Sequence, residues 1–163
     1  MEKTLSVAKF LYDSYSEYFG HSMEQMKMHK LMYFVQRESL MYHKELLFEE
    51  PFLGWRYGPV LCSVRHEYAT GNLFSDVSGD VTERTRRLAE QVLERYGSLS
   101  QWKLSSLSHR EFSWKRARRG MEPSDNGNVE LDLSAMKVDA VKELAERKWH
   151  NNGCAPNRLN GGV

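Results

Sequence analysis

Ser108 stands beside His109, His66 adjoins Glu67, and His150 lies four residues before Cys154, so a nucleophile, an acid–base pair and a metal clamp are the first chemistries to weigh. None has the spacing that its chemistry needs. Neighbouring side chains on a helix point to different faces, and no GxSxG turn surrounds Ser108 to expose its hydroxyl. Ser108 with Glu111 three residues on has instead the pattern of a capping box, with His109 making one hydrogen bond at a helix boundary. No HExxH occurs, and His29 and His43 are fourteen apart. His150 and Cys154 are two ligands where a structural zinc needs four, and Asn151, Asn152 and Gly153 between them favour fraying. The carboxylates are spread over solvated helix faces. The expectation is a protein with no catalytic residue, no metal and no cofactor.

Two other stretches carry functional residue types. In "GWRYGPV", Gly54 to Val60, the glycines match neither GxxxxGK[ST] nor GxGxxG, so a phosphate cradle is not indicated. The residues suit an ordered corner, with Gly58 supplying backbone freedom, Pro59 opening a helix where its missing N–H is not needed, and Trp55 and Tyr57 pinning an extended arm. In "WKRARRG", Lys115, Arg116, Arg118 and Arg119 follow Trp114. Such a cluster can hold phosphates while the indole stacks on a base, but it also complements a helix dipole or meets an acidic protein surface. With 23 basic and 22 acidic residues in 163, the net charge of +1 creates no global field for nucleic acid or an anionic membrane, which favours the protein partner.

The elements that must position these residues are mostly helical. Val7, Phe10, Leu11, Ser14, Tyr15 and Tyr18 form one stripe, with Thr4 as cap and Gly20 as stop. Ser22 and Gln25 have capping-box spacing ahead of Met28, Leu31, Met32, Val35 and Tyr42, a second helix running to about Lys44. Met26, Tyr33, Phe34, Leu40 and Met41 widen its apolar face enough to make it the hub. Phe52, Leu53, Trp55 and Tyr57 suit an extended arm or hairpin near 46–57. A third helix from Pro59 ends near Gly71. Residues 72–81, "NLFSDVSGDV", suit a turn or hairpin. A fourth helix carries Leu88, Ala89, Val92 and Tyr96 up to Gly97, and two short pieces follow, the first opened by Ser98 and Gln101. After a loop, Ser134 caps a last helix whose Val138, Val141, Ala145 and Trp149 share a face. The expected fold is mainly α, a compact bundle of about six to seven helices around a central one, with a single domain over 1–150 and a tail at 151–163.

Two cysteines without a CxxC, no leader-like start and no apolar run of membrane-spanning length suit a reducing cytoplasm and no membrane partner.

"MKMHKLMYFVQ", "ELLFEEPFLGWRYGPVLCSVRHEY" and "LSSLSHREFSWKRAR" resemble, in order and spacing, the Panacea domain of SocA-like or GepA-like antitoxins from bacteria and their phages. The likeness covers about Ser6 to Gly120. Its motifs fall on Lys30 to Tyr33, Leu46 to Phe48, Trp55 to Val60 and Leu104 to Trp114. Cys62 stands where the family often has proline, and Gly54 where alanine is common. The resemblance implies a helical antitoxin that binds a cognate toxin encoded by an adjacent gene, with delivery to a protease in some members. The residue types of the corner and of the basic cluster put the expected partner contact at Trp55, Arg56, Tyr57, His66, Trp114, Arg116 and Arg119, beside a structural corner at Gly58 and Pro59. A nucleic-acid-binding regulator of a phage or toxin–antitoxin locus, using Arg116 and Arg119, is the alternative.

Overall fold

The computed structural model describes residues 1–152. Among the described residues there are seven helices, α1 (Thr4–Phe19), α2 (Gln25–His43), α3 (Cys62–Ala69), α4 (Glu83–Tyr96), α5 (Gln101–Ser108), α6 (Phe112–Ala117) and α7 (Leu133–Asn151), and one small antiparallel hairpin, β1 (Leu53–Trp55) and β2 (Gly58–Val60). The fold is mainly α, and α2 is its hub: every residue from Met28 to Met41 is buried. α1, α3, α4, α5, α7 and β2 all pack on it. A helix enclosed on all sides cannot dispose of its polar groups in water, so each needs an internal partner. Gln36 donates to the Phe48 carbonyl at 2.8 Å and accepts from the Leu47 N–H at 2.7 Å, fastening the segment that follows α2. Ser39 donates to the Glu45 carbonyl. No helix of the described residues is long and apolar enough to cross a membrane.

The hairpin lies at 53–60, somewhat later than the arm expected near 46–57, and Pro59 belongs to its second strand rather than opening α3. The reason is a hydrogen-bond direction. The Gly54 N–H donates to the Val129 carbonyl at 2.9 Å, on the side of β1 away from β2, and the Leu131 N–H donates to the Phe52 carbonyl on that same edge. Gly54 faces Pro59 across the hairpin, so this pair exchanges no ladder bond and the proline forfeits none. α3 then begins at Cys62. The Leu61 N–H before it is taken by His29 Nδ1 at 3.2 Å, and the Glu50 carboxylate accepts from the Ser63 N–H at the new helix end.

Most of the expected caps move. Thr4 is the first residue of α1, and Lys3 in the cap position makes no side-chain cap bond. Ser22 lies outside α2, because buried Met23, whose carbonyl accepts from Tyr68, holds the chain extended up to Glu24. Ser100, not Ser98, caps α5 by accepting from the Lys103 N–H, and Asp132, not Ser134, caps α7 by accepting from the Ala135 N–H. Ser108 ends α5 and donates back to the Ser105 carbonyl, while Glu111 forms no cap bond. The free N–H groups of Phe112 and Ser113 in α6 go instead to the Asp139 carboxylate of α7, at 2.7 and 2.9 Å. Gly20 does close α1, in the left-handed conformation that its position favours.

α7 also turns the other way. Ala135, Met136, Asp139 and Ala140 face inward, while Val138, Val141, Ala145 and Trp149 are exposed. Asp139 must point at α6, and at 100° per residue that puts Val141 about 200° away, on the solvent side. Tyr18 and Tyr42 likewise lie at the surface. Asn151 ends α7 and Asn152 follows it, so the tail expected from 151 begins inside the helix; Cys154 and the rest of 153–163 lie outside the described residues.

Candidate functional site

The corner forms around the hairpin. The carbonyl of Trp55 accepts from Trp114 Nε1 at 2.8 Å, and the Trp114 ring stacks on His109 with centroids 4.1 Å apart, so β1, α5 and α6 lock together. Ser105 donates to the Tyr57 carbonyl at 2.7 Å, fixing the turn from α5. At the tip, Arg56 lies over the Tyr57 ring and bonds its hydroxyl, and Tyr57 meets Trp102 edge to face at 5.7 Å. Tyr57 and Trp102 are 39% and 57% exposed, which makes them available to a partner. The Arg65 guanidinium from α3 covers the Trp55 ring at 4.7 Å.

Gly58 holds the tip against the hub. Its φ of +121° is one that side chains rarely adopt, and a Cβ there would sit 2.4 Å from Ser108 Oγ and 2.6 Å from Lys30 Cε. Lys30 runs directly beneath. It is buried, its ammonium has one long contact, 3.4 Å to the Pro59 carbonyl, and burial pushes its pKa down from 10.5 to about 7. Next to it, burial and then the charges of Lys30 and Arg65 lower His29 to about 3, which keeps the imidazole neutral and able to accept from Leu61. Burial followed by the Lys30 charge also lowers His109.

The expected contact residues divide. Trp55, Arg56, Tyr57 and Trp114 belong to this corner. His66 is exposed on α3 and makes no hydrogen bond, ion pair or ring contact among the described residues. The basic cluster does not act as a unit. Arg118 is buried and donates to the carbonyls of Gly54, Glu122 and Asp125 at 2.8 to 3.0 Å, as an internal brace. Arg116 faces Asp132 across 3.8 Å with both half-exposed, and Arg119 is exposed. The sequence reading missed His29, Lys30, Arg65 and Trp102. Lys30 carried a signal, since it interrupts an apolar stretch in which both neighbouring turns are core.

Behind the corner a polar network joins α2 to three other helices. Arg37 donates to Glu111 Oε1 at 2.7 Å and to Tyr96 at 2.8 Å; burial opposes its charge, but Glu111, Tyr96, Tyr33 and Glu143 together more than offset this. Arg147 grips both oxygens of Glu38 and one of Glu143. The Tyr33 hydroxyl lies within 3.2 Å of Glu111, Ser113 and Asp139, and one hydroxyl proton cannot serve two carboxylates. Burial raises Glu111, Arg37 lowers it, and Asp139 raises it again, for a net upward shift.

A mainly helical domain that carries a cationic and aromatic corner on a braced hairpin is the class defined by these features. The family model described as the SocA-like antitoxin, Panacea domain, matches residues 28–115, from the hub helix to α6. That is just over half of the chain, and the chain belongs to this antitoxin family. No curated protein and no solved structure matches it.

Proposed function

We propose that this protein neutralises a cognate toxin, the product of an adjacent gene, by binding it directly in the cytoplasm and without chemical turnover. Membership of the antitoxin family supports the role, and the hairpin tip supports the mode. Tyr57, Trp102 and Arg56 are the residue types that dominate protein interfaces, and here Tyr57 and half-buried Arg56 on a turn braced from α5 meet exposed Trp102 of that helix. A surface already ordered before contact loses little entropy on binding. Handing the captured toxin to a protease is a further step that the same contact would permit. The nucleic-acid alternative is weakened by the inward use of Arg118 and by the Asp132 carboxylate beside Arg116.

The test is to express the neighbouring gene with and without this chain and to purify the products together. A stoichiometric complex that releases unmodified toxin is the expected result. Rescue at strongly substoichiometric amounts, or a covalently altered partner, would overturn binding in favour of catalysis. Salt-sensitive duplex binding in the absence of any toxin complex would favour the regulator.

A further inference from the structure

A cavity of about 160 Å³ opens beside the hairpin, lined by His29, Lys30, Trp55, Arg56, Arg65 and Val60 among others. Its charges are one-sided. Lys30, Arg56 and Arg65 have no ion pair among the described residues, and no aspartate or glutamate lines the cavity. Elsewhere buried cations are matched: Arg37, Arg118 and Arg147, the buried or nearly buried guanidiniums, meet carboxylates or converging carbonyls. Lys30 is 1% exposed, and an ammonium with three donors has a single long acceptor. The indole N–H of Trp55 is buried and unpartnered among the described residues. The Arg65 guanidinium lies over the Trp55 ring, and its N–H groups make no hydrogen bond or ion pair among the described residues. Buried donors without acceptors are costly, and a group that supplied an acceptor and a negative charge would relieve Lys30 and the Trp55 N–H together, with the exposed Arg65 guanidinium beside them.

We infer that this cavity receives the carboxylate of a glutamate or aspartate from the protein partner, with Lys30, Arg65 and the Trp55 N–H as its donors. The inference rests on the toxin-binding reading and names the contact. A carboxylate on a short stem suits the walls, because Met26, Val60 and the Trp55 ring can cover its methylenes while the cations meet its head. The space, about 160 Å³, is enough for such a side chain. An arriving anion also holds the proton on Lys30, an amine that burial alone leaves close to neutral at physiological pH.

The experiment uses the full chain labelled with nitrogen-15 and sodium propionate as probe, against sodium chloride at equal ionic strength. The Trp55 indole resonance should move and saturate. The response should weaken at least tenfold in Arg65→Gln, an exposed position where folding is not at risk, and vanish in Lys30→Met, which keeps the buried stem. A blocked peptide centred on glutamate should compete with propionate, and its glutamine counterpart should not. No saturable shift, or equal shifts in wild type and both variants, overturns the site. Tighter binding of inorganic phosphate than of propionate overturns the carboxylate, and propionate binding without glutamate-peptide binding overturns the protein source in favour of a small molecule. The probe needs no toxin, so loss of propionate binding in Arg65→Gln with toxin binding unchanged overturns this inference alone. Propionate binding by a chain that forms no toxin complex overturns the antitoxin mode, and with it the assignment of the carboxylate to a toxin.

Discussion

Asp139 shows how much one side chain can organise. Its carboxylate accepts from two backbone N–H groups of α6 at 2.7 and 2.9 Å and lies 3.2 Å from the Tyr33 hydroxyl, at a position 4% exposed. Replacing it with alanine strands donors that each cost about 1–3 kcal/mol when buried and unmet. Asp139→Ala should therefore destabilise the protein by about 3–5 kcal/mol in urea denaturation, and Asp139→Asn, which keeps one acceptor, by clearly less. Lys30 should behave in the opposite sense. Its folded pKa of about 7 lies below the ordinary 10.5, so between those values the unfolded chain holds a proton that the folded one does not, and stability rises with pH across that window. Below pH 7 both states are charged and the folded state bears the full cost of the buried ammonium. Lys30→Met removes that cost, so its melting temperature should exceed the wild type's at pH 6 to 7, with the advantage shrinking toward pH 10. A variant destabilised equally at both pH values would show that Lys30 is not held as a poorly paired amine.

The hairpin is the element on which the site depends, and Gly58 is its narrowest point. A methyl group there meets the strained φ of +121° together with contacts of 2.4 Å to Ser108 and 2.6 Å to Lys30. Strain of this kind costs about 1–3 kcal/mol by itself. Gly58→Ala should lower stability by about 2–4 kcal/mol, with the displaced Lys30 and Ser108 adding to the backbone term. Chemical denaturation measures the loss, and the intrinsic fluorescence of Trp55 and Trp114 should change with it. A near-neutral substitution would mean that the tip is not pressed against the hub. Among the elements, α3 and α6 share an unexpected feature: Glu50 and Asp139 serve their first turns from outside the local sequence.

At the scale of the whole molecule, the near-balance of charge conceals an uneven distribution. Carboxylates and guanidiniums of α2 and α7 neutralise one another in the interior, whereas the hairpin side presents cations without ion-pair partners among the described residues. Arg116 and Arg119 lie outside both arrangements. Reversing their charge should leave stability within about 0.5 kcal/mol, because exposed pairs such as Arg116 and Asp132 contribute little. Affinity for an acidic toxin surface should fall, and more so at low salt. Melting curves and binding at two ionic strengths check both parts. Unaltered binding would confine the contact to the hairpin corner.

The sequence by itself determined the helical class, the hub and the corner. Apolar spacing in α2 dense enough for more than one face calls for contacts on several sides, and Gly58 between Tyr57 and Pro59 calls for backbone freedom. Those are local properties, readable from residue types and intervals. Tertiary structure decided what distant residues do to one another. Asp139 caps α6 and so turns Val138, Val141 and Trp149 outward; the pull of Val129 on Gly54 makes Pro59 a strand residue; Arg118 of an apparent surface cluster is spent on interior carbonyls. Lys30, Arg65 and Trp55 come from three separate segments, and their meeting in one cavity without a counter-charge exists only once the hairpin has folded over α2. Hydrogen bonds and ion pairs act over a few ångströms of space whatever the separation along the chain, so a pattern read along the chain cannot foresee them.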